Sequence, residues 1–419
     1  MSEGGKTIAV IGAGIVGVST AIWLQRDGHK VVLIDKVGPG EGTSYGNGGV
    51  LASVACVPVT GPGLIKKAPK MALDPHQPLF LKWGYLPKLM PWLWKYLSHA
   101  NEADTRRISA AVANVVGDSL ADHEALSEGT GAEGFVKPSD YLFLYNDRAH
   151  FEGDALVWDI RKKQGFDWDE WDRAQIEAYD TIYASEFNLG VRLGNHGRVT
   201  DPGGYVKALA RHVEACGGRF VKAMVDDVIL ENGAVTGLRA GGEVIACDAC
   251  VVATGIWSSP LAAKLGVNVP LESERGYHLE LWEPSQMPKA PAMVASGKFV
   301  VTPMDGRIRL AGVVEFGGLD AAPSKAPIDL LRLNAKAAFP GLTWKREEEW
   351  MGHRPAPADS IPVIGEVPNA KGVFMGFGHH HIGLTGGPKT GRLLAQMISG
   401  KKPNIDVEVY SPARWAVST

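Results

Sequence analysis

Three glycines and an aspartate open the chain with a recognisable piece of chemistry. Residues 8–35 read IAVIGAGIVGVSTAIWLQRDGHKVVLID. Gly12, Gly14 and Gly17 stand in G-x-G-x-x-G spacing after an apolar strand, and Asp35 closes a second strand about 20 residues on. Such a pattern points to dinucleotide binding, the alternative being a purely structural glycine turn. Gly12 allows the tight turn out of the strand, Gly14 lets a pyrophosphate approach the backbone, and Gly17 lets the helix pack close on the sheet. The first helical turn, with Ile15 and Val16, offers free N–H groups and a partial positive charge to phosphate. Asp35, followed by Lys36, can accept hydrogen bonds from a ribose hydroxyl, and an acid there disfavours a 2′-phosphate and so NADP. The motif alone does not separate NAD from FAD.

Two other clusters are weaker. His379-His380-His381 suggests a metal, but three consecutive residues cannot all reach one ion without a distorted backbone, and no acidic partner is near in sequence. No metal is expected. Of the four cysteines, Cys247 and Cys250 form a C-x-x-C with no second pair or nearby histidine. Cys250 begins an apolar run, so these read as reduced packing residues of a cytoplasmic protein.

The elements that must position the motif follow a two-part plan. A length of 419 residues suffices for two domains, and 51 glycines with 45% apolar residues suit an α/β protein. A net charge of −3 with no basic stripe argues against a nucleic-acid partner. No apolar h-region precedes the first strand, and no run of 18 apolar residues occurs. The spacing predicts a strand at 8–11, a helix to about Asp27 and a strand at 31–34. Residues 38–53, GPGEGTSYGNGGVLAS, read as a loop whose exposed amides suit a second phosphate or a flavin ring, or as an ordinary surface loop. Within residues 78–97, Pro87 and Pro91 are expected to break any continuous helix. The aromatics there, Trp83, Tyr85, Trp92, Trp94 and Tyr96, interleave with lysine. They read as a pair of short helices on the body or as an interfacial membrane foot. Further helices are expected at 103–129, 150–164, 205–216 and 328–339, with a last one ending near Ile398. A strand pair is expected across 135–145, and strands at 220–225, 228–230, 235–239, 250–253, 277–282, 308–311 and 373–377. Asn232-Gly233 signals a hairpin.

Three separated blocks resemble one family over nearly the whole chain. They are the N-terminal fingerprint, the Val251–Ser258 block, and the C-terminal pair Gly352-His353-Arg354-Pro355…Asp359…Pro362–Gly365 with Gly376–His379…Gly383–Gly386. Together they resemble the D-amino-acid oxidase superfamily of FAD enzymes. Within it, the chain is most similar to the D-amino-acid dehydrogenase small-subunit group. Glu274–His278, Ser296–Phe299 and Trp350–Gly352 resemble glyphosate oxidoreductase and related secondary-amine oxidoreductases.

The resemblance implies an α/β fold, α+β overall. A Rossmann-like FAD-binding domain (1–77, 199–275 and 345–419) would interleave with an antiparallel-sheet substrate domain (78–198 and 276–344). It implies non-covalent FAD and oxidation of a C–N bond beside a carboxylate, by hydride transfer to flavin N5 and hydrolysis of the imine. The alternative is an electron-transfer or non-catalytic subunit of a heteromeric dehydrogenase. Gly12, Gly14, Gly17 and Asp35 match the AMP end. Thr43, Ser44, Asn47, Gly48 and Gly49 match the loop along pyrophosphate and ring. Val225 matches the adenine strand, and Thr254, Gly255 and Trp257 the second FAD block. Gly378, His379, Gly383, Leu384 and Thr385 match the flavin edge, where the last helix offers its positive end, and Gly352 is a further expected cofactor-binding residue. Arg354 matches the clamp for the substrate carboxylate, which a planar guanidinium holds bidentately; the alternative is a salt bridge to Asp359 or Glu366. Tyr277 matches an interface tyrosine that contacts carboxylate or lid, or is a packing aromatic, and His278 flanks it. Relatives usually carry glycine where this chain has His380. The resemblance implies a quinone of the respiratory chain or O2 as the electron acceptor, and a location in the cytoplasm or peripheral on the inner face of the membrane is expected.

Overall fold

The apolar runs on either side of the glycine turn become neighbouring parallel strands. In the computed structural model, which describes residues 5–417, Thr7–Ile11 pairs in parallel with Lys30–Asp35 on one side and Ala249–Val252 on the other. Arg219–Lys222 and Val373–Phe377 extend the sheet in parallel, and Val363–Glu366 closes it antiparallel. The central strands are buried on both faces, which is why they read as unbroken apolar runs. Ile8, Val10, Leu33 and Val251 pack against helices Ile15–Arg26, Pro202–Ala215 and Gly383–Ile398. Ala9, Ile11, Ile34 and Val252 pack against a three-stranded antiparallel sheet, Val225–Glu231, Ala234–Ala240 and Glu243–Ala246. Asn232 and Gly233 have φ of 52° and 77°, the two left-handed residues of a type I′ turn.

A second, mostly antiparallel sheet runs Arg346–Pro357, Leu271–Trp282, Arg307–Phe316, Phe299–Met304, Ala292–Val294, Val136–Tyr145, Leu189–Val199, Val50–Leu51. Leu79–Leu81 and Asp169–Asp172 join it laterally. One face buries helix Ala326–Ala338 against Leu279, Leu281 and Phe299. Leu271–Trp282 runs through the sequence boundary at 275/276. Arg346–Pro357 and Val50–Leu51, expected with the nucleotide-binding segments, also pair into this sheet. Arg346–Pro357 is hydrogen-bonded to Leu271–Trp282 from end to end, so both belong to one body.

Several local expectations are corrected. Residues 86–98 form one helix, Leu86–Ser98, despite two prolines. Pro87 lies in the first turn, where a backbone N–H would have no helical partner and none is missed, and Pro91 removes a single bond. Residues 136–145 form one strand rather than a pair. Pro138 is tolerated because this stretch has a partner on one side only: Ala292–Val294 reaches just Leu142–Leu144. The helix expected at 103–129 is two, Glu102–Val116 and Ser119–Ser127, parted at Gly117, and that at 150–164 is Arg148–Glu152 and Ala155–Lys163, parted at Gly153.

Candidate active site

The C-terminal ends of the parallel strands and one face of the second sheet open onto a single cavity of about 1140 Å³. That exceeds the roughly 300–1,000 Å³ of drug-sized ligand sites and leaves room for a dinucleotide beside a small molecule. Among the cofactor-binding residues expected from the sequence, all line this cavity except Gly17 and Gly49. Those two act from behind the wall. A Cβ at Gly17 would lie 1.8 Å from the Gly12 carbonyl oxygen, so only glycine lets the helix seat on the turn. Gly49 has φ of 77°, and a Cβ there would meet the Val199 carbonyl oxygen at 2.9 Å.

At one end the walls are backbone. Gly12 has φ of 105°, with no room for a Cβ beside the Ala253 carbonyl. Helix Ile15–Arg26 opens at Gly14 with no side-chain cap and no acid in its first turn. The Ile15 amide donates to Ser44 Oγ at 3.0 Å, whereas those of Val16 and Gly17 have no protein partner among the described residues. Free amides at an uncapped helix start, lined by glycine, fit a pyrophosphate. Asp35 is pinned at the rim: one carboxylate oxygen accepts from Ala13 N (2.9 Å), the other from Val37 N (2.8 Å) and Gly38 N. Lys36 lies 3.9 Å over the Trp257 ring. Thr43 donates to the His353 carbonyl at 2.8 Å, tying the loop to the second sheet.

At the other end the walls are side chains. Arg354 and Glu274 face each other across paired strands, with Nη1 to Oε1 at 2.9 Å. The guanidinium lies across Gly276, where a Cβ would sit 2.5 Å from Cζ. The second Glu274 oxygen is bonded to the His380 ring. Burial alone would raise the Glu274 carboxyl, but His380 and Arg354 outweigh it and hold it well below the usual range. Neither acid that the sequence offered to Arg354 takes it. Asp359 pairs with Arg414 at 2.9 Å, and Glu366 accepts from Gly372 N.

The histidine run diverges as its backbone geometry requires. His379 bonds Thr390 Oγ1 at 2.9 Å, and burial pushes it down to about 4. His380 turns to Glu274 with φ of 51°, a left-handed conformation suited to glycine. Burial and the neighbouring His380 push His381 down to about 3. Tyr277 also borders the cavity, but strand alternation sends its ring to the face opposite Glu274 and Gly276. There its hydroxyl donates to Glu315 at 2.7 Å and accepts from Ser324 N, and Glu315 pairs with Arg275. His278 does not line the cavity. It stacks on Trp350 (centroids 5.1 Å apart) and bonds the Gly46 carbonyl.

Four participants were not singled out from the sequence. Glu274 is visible only once strand register places it opposite Arg354. Trp350 borders the cavity wedged between Gly46 and Gly352, each too close for a Cβ. His123 sits in a helix distant in sequence, yet its Nε2–H donates to the Leu384 carbonyl at 2.8 Å while Nδ1 accepts from the Tyr205 hydroxyl. Ser119 donates to the Thr385 carbonyl at 2.9 Å. These two bonds fix the uncapped start of helix Gly383–Ile398, whose first residues line the cavity.

Burial pushes His123 down to about 4 as well. His123, His379 and His381 are thus neutral in the fold, with folded pKa values below the unfolded ~6.5. As pH falls below ~6.5 the unfolded chain takes up protons that the folded one refuses. Each such histidine then costs about 1.4 kcal/mol of stability per pH unit, until its folded value is reached. The urea midpoint is expected to fall steadily between pH 7 and 5; a level midpoint there would contradict the buried neutral rings.

Comparison with known proteins agrees with this geometry. Residues 7–397 match the family described as FAD dependent oxidoreductase. The chain is 38% identical over 418 residues to a D-amino-acid oxidase of Bradyrhizobium diazoefficiens, covering 98% of this chain and 99% of that one. It is 30% identical to a D-amino acid dehydrogenase of the same organism, with 98% and 99% covered. A glycine oxidase structure from Geobacillus kaustophilus superimposes with a TM-score of 0.75 at 20% identity, over 98% of this chain and 99% of that one, and so shares the fold. With the glycine cradle, the two uncapped helix starts and this match over most of its length, the chain belongs to the FAD dependent oxidoreductase family.

Proposed function

We propose that this oxidoreductase oxidises the C–N bond of an amino acid or secondary amino acid, a D-amino acid or N-substituted glycine. The observation that carries this reading is Arg354, a cation in the cavity wall whose position is set by Glu274 and Gly276. The parallel-sheet body would hold FAD non-covalently, with Asp35 at the ribose and Val16 and Ser44 at the pyrophosphate. The second sheet would hold the substrate. Bound FAD would supply a two-electron acceptor for the hydride that leaves the substrate α-carbon. Arg354 then has one task, to hold the carboxylate so that the α-carbon has a fixed position. The uncapped start of helix Gly383–Ile398 would stabilise negative charge on a flavin held beside it. The imine product is hydrolysed by water.

Anaerobic titration of the yellow holoprotein with D-amino acids, sarcosine, hydroxy-D-proline, iminodiacetate and glyphosate tests this reading. Bleaching by at least one is expected. Failure of all would favour an electron-transfer or non-catalytic subunit.

The helix Leu86–Ser98 supports a peripheral contact with the inner face of the membrane, where a quinone would take the electrons. Trp92 and Tyr96 stack at 4.5 Å and are buried on the body, whereas Trp83, Met90 and Trp94 are 56%, 44% and 77% exposed. No described helix is long and apolar enough to cross a membrane. Co-sedimentation with anionic vesicles that is lost in Trp83→Ala/Trp94→Ala is the expected outcome. Peroxide in yield equal to substrate, undiminished by added quinone, would instead assign O2 as acceptor.

A further inference from the structure

The same cavity holds a second guanidinium that the reaction so far leaves unused. Arg161, on helix Ala155–Lys163, is only 9% exposed and lines the cavity. The other deeply buried arginines of the second sheet have carboxylate partners: Arg275 with Glu315 at 2.8 Å, Arg307 with Glu280 at 2.7 Å, Arg309 with Glu280 at 2.6 Å. Arg161 has no ion pair and donates no hydrogen bond to protein among the described residues, and its enclosed Nε is unsatisfied. What holds it are two ring faces, Trp158 at 4.3 Å and Phe143 at 4.6 Å from Cζ. Aromatic faces stabilise a cation but accept none of its in-plane N–H groups.

A buried charge without a partner is costly, and a fold that keeps one beside an open cavity presents it to a ligand. Tyr141 adds a second donor. It is 3% exposed, it borders the cavity, and its hydroxyl has no hydrogen-bond partner among the described residues. Burial pushes the Tyr141 hydroxyl up, and the nearby Arg161 charge opposes that shift. The wall around the pair is apolar, with Val54, Phe143, Met293 and Val300. No protein carboxylate is in ion-pair contact with Arg161 among the described residues; Asp154 acts on it only from farther off and takes the Tyr145 hydroxyl, whereas Glu274 engages Arg354 directly.

We propose that Arg161, assisted by Tyr141, binds a second oxyanion of the substrate. The preferred substrates are then amino acids with an additional carboxylate or phosphonate on the side chain or on the nitrogen substituent. This rests on the amino-acid reading above: Arg354 holds the α-carboxylate and Arg161 selects the distal acid. A guanidinium used only to brace Trp158 and Phe143 would give no such selection.

The experiment compares acid and amide members of otherwise identical pairs: aspartate with asparagine and glutamate with glutamine in both enantiomers, and iminodiacetate with its monoamide. In the wild-type holoenzyme, kcat/KM is expected to favour the acid by roughly 10- to 100-fold, the scale of one charge-assisted hydrogen bond. In Arg161→Met the ratio collapses towards 1, and Arg161→Lys keeps part of it. A second readout needs no turnover: perturbation of the flavin spectrum by malonate, succinate and glutarate against propionate and butyrate. Dianions bind tighter in the wild type and lose that advantage in Arg161→Met. A wild-type acid/amide ratio near 1, or a preference that survives Arg161→Met, overturns the proposal while leaving amino-acid oxidation standing. If Arg161→Met does not fold, the wild-type ratio and the dicarboxylate titration decide. If no amino acid bleaches the flavin, amino-acid oxidation fails, and the dicarboxylate titration still tests Arg161.

Discussion

Replacing Arg354 with alanine is expected to lower kcat/KM for amino acids by about 30- to 5,000-fold with the flavin still bound. The range corresponds to the roughly 2–5 kcal/mol lost when one partner of a hydrogen-bonded charge pair is truncated. Two effects add. The substrate carboxylate loses its clamp, and Glu274 loses the cation at 2.9 Å that balances it. The cavity end then carries a carboxylate where it had a near-neutral pair, so an incoming anion meets repulsion instead of attraction. Most of the loss is expected in KM, with a part in kcat because an unclamped carboxylate no longer fixes the α-carbon. Arg354→Lys restores charge but not the planar fork, and should recover only a fraction. Flavin content should persist, because Asp35, Val16 and Ser44, proposed for the ribose and pyrophosphate, lie away from the strand that carries Arg354. Kinetics unchanged in Arg354→Ala would sink the clamp role, and loss of flavin would show that Arg354 is structural.

The legibility of this site follows the range of the interactions that build it. The dinucleotide end was readable because its parts are local: strand, turn, helix and acid lie within residues 8–35, and their spacing is set by one turn's geometry. The same holds for Asn232-Gly233, whose turn type needs two left-handed residues in a row. Pro91 misled because a helix docked through Trp92 and Tyr96 can absorb one missing bond that an isolated helix could not. The substrate end is long-range. Glu274 stands 80 residues from Arg354, and only the pairing of Leu271–Trp282 with Arg346–Pro357 brings them together. Tyr277 shows the converse. Its place near the motif is right, yet a single-residue alternation turns its hydroxyl to Glu315. Arg161 carried no signal, since in sequence it is one of three consecutive basic residues at a helix end.

Glu274 to alanine is expected to cost about 3–5 kcal/mol of stability, the scale for breaking a buried ion pair from one side. The carboxylate serves two groups at once, Arg354 Nη1 and the His380 ring, and neither has another acid facing it among the described residues. Glu274→Gln keeps an acceptor for Arg354 and should cost less. Its value lies in the pH dependence. The folded Glu274 carboxyl is held well below its ordinary value by His380 and Arg354, despite burial. Its stabilisation is therefore fully present above the unfolded value of ~4.5 and is lost as pH falls below that towards the folded value. The histidine contribution begins higher, from ~6.5 down, so between about pH 6.5 and 4.5 it acts without the Glu274 contribution. Glu274→Gln should keep the decline between pH 7 and 5 but flatten the limb below ~4.5, as read from urea midpoints of the holoprotein. Equal flattening in both windows would mean that Glu274 and the histidines titrate as one unit, and an unchanged acid limb would mean that the carboxylate is not the group whose protonation unfolds this end of the cavity.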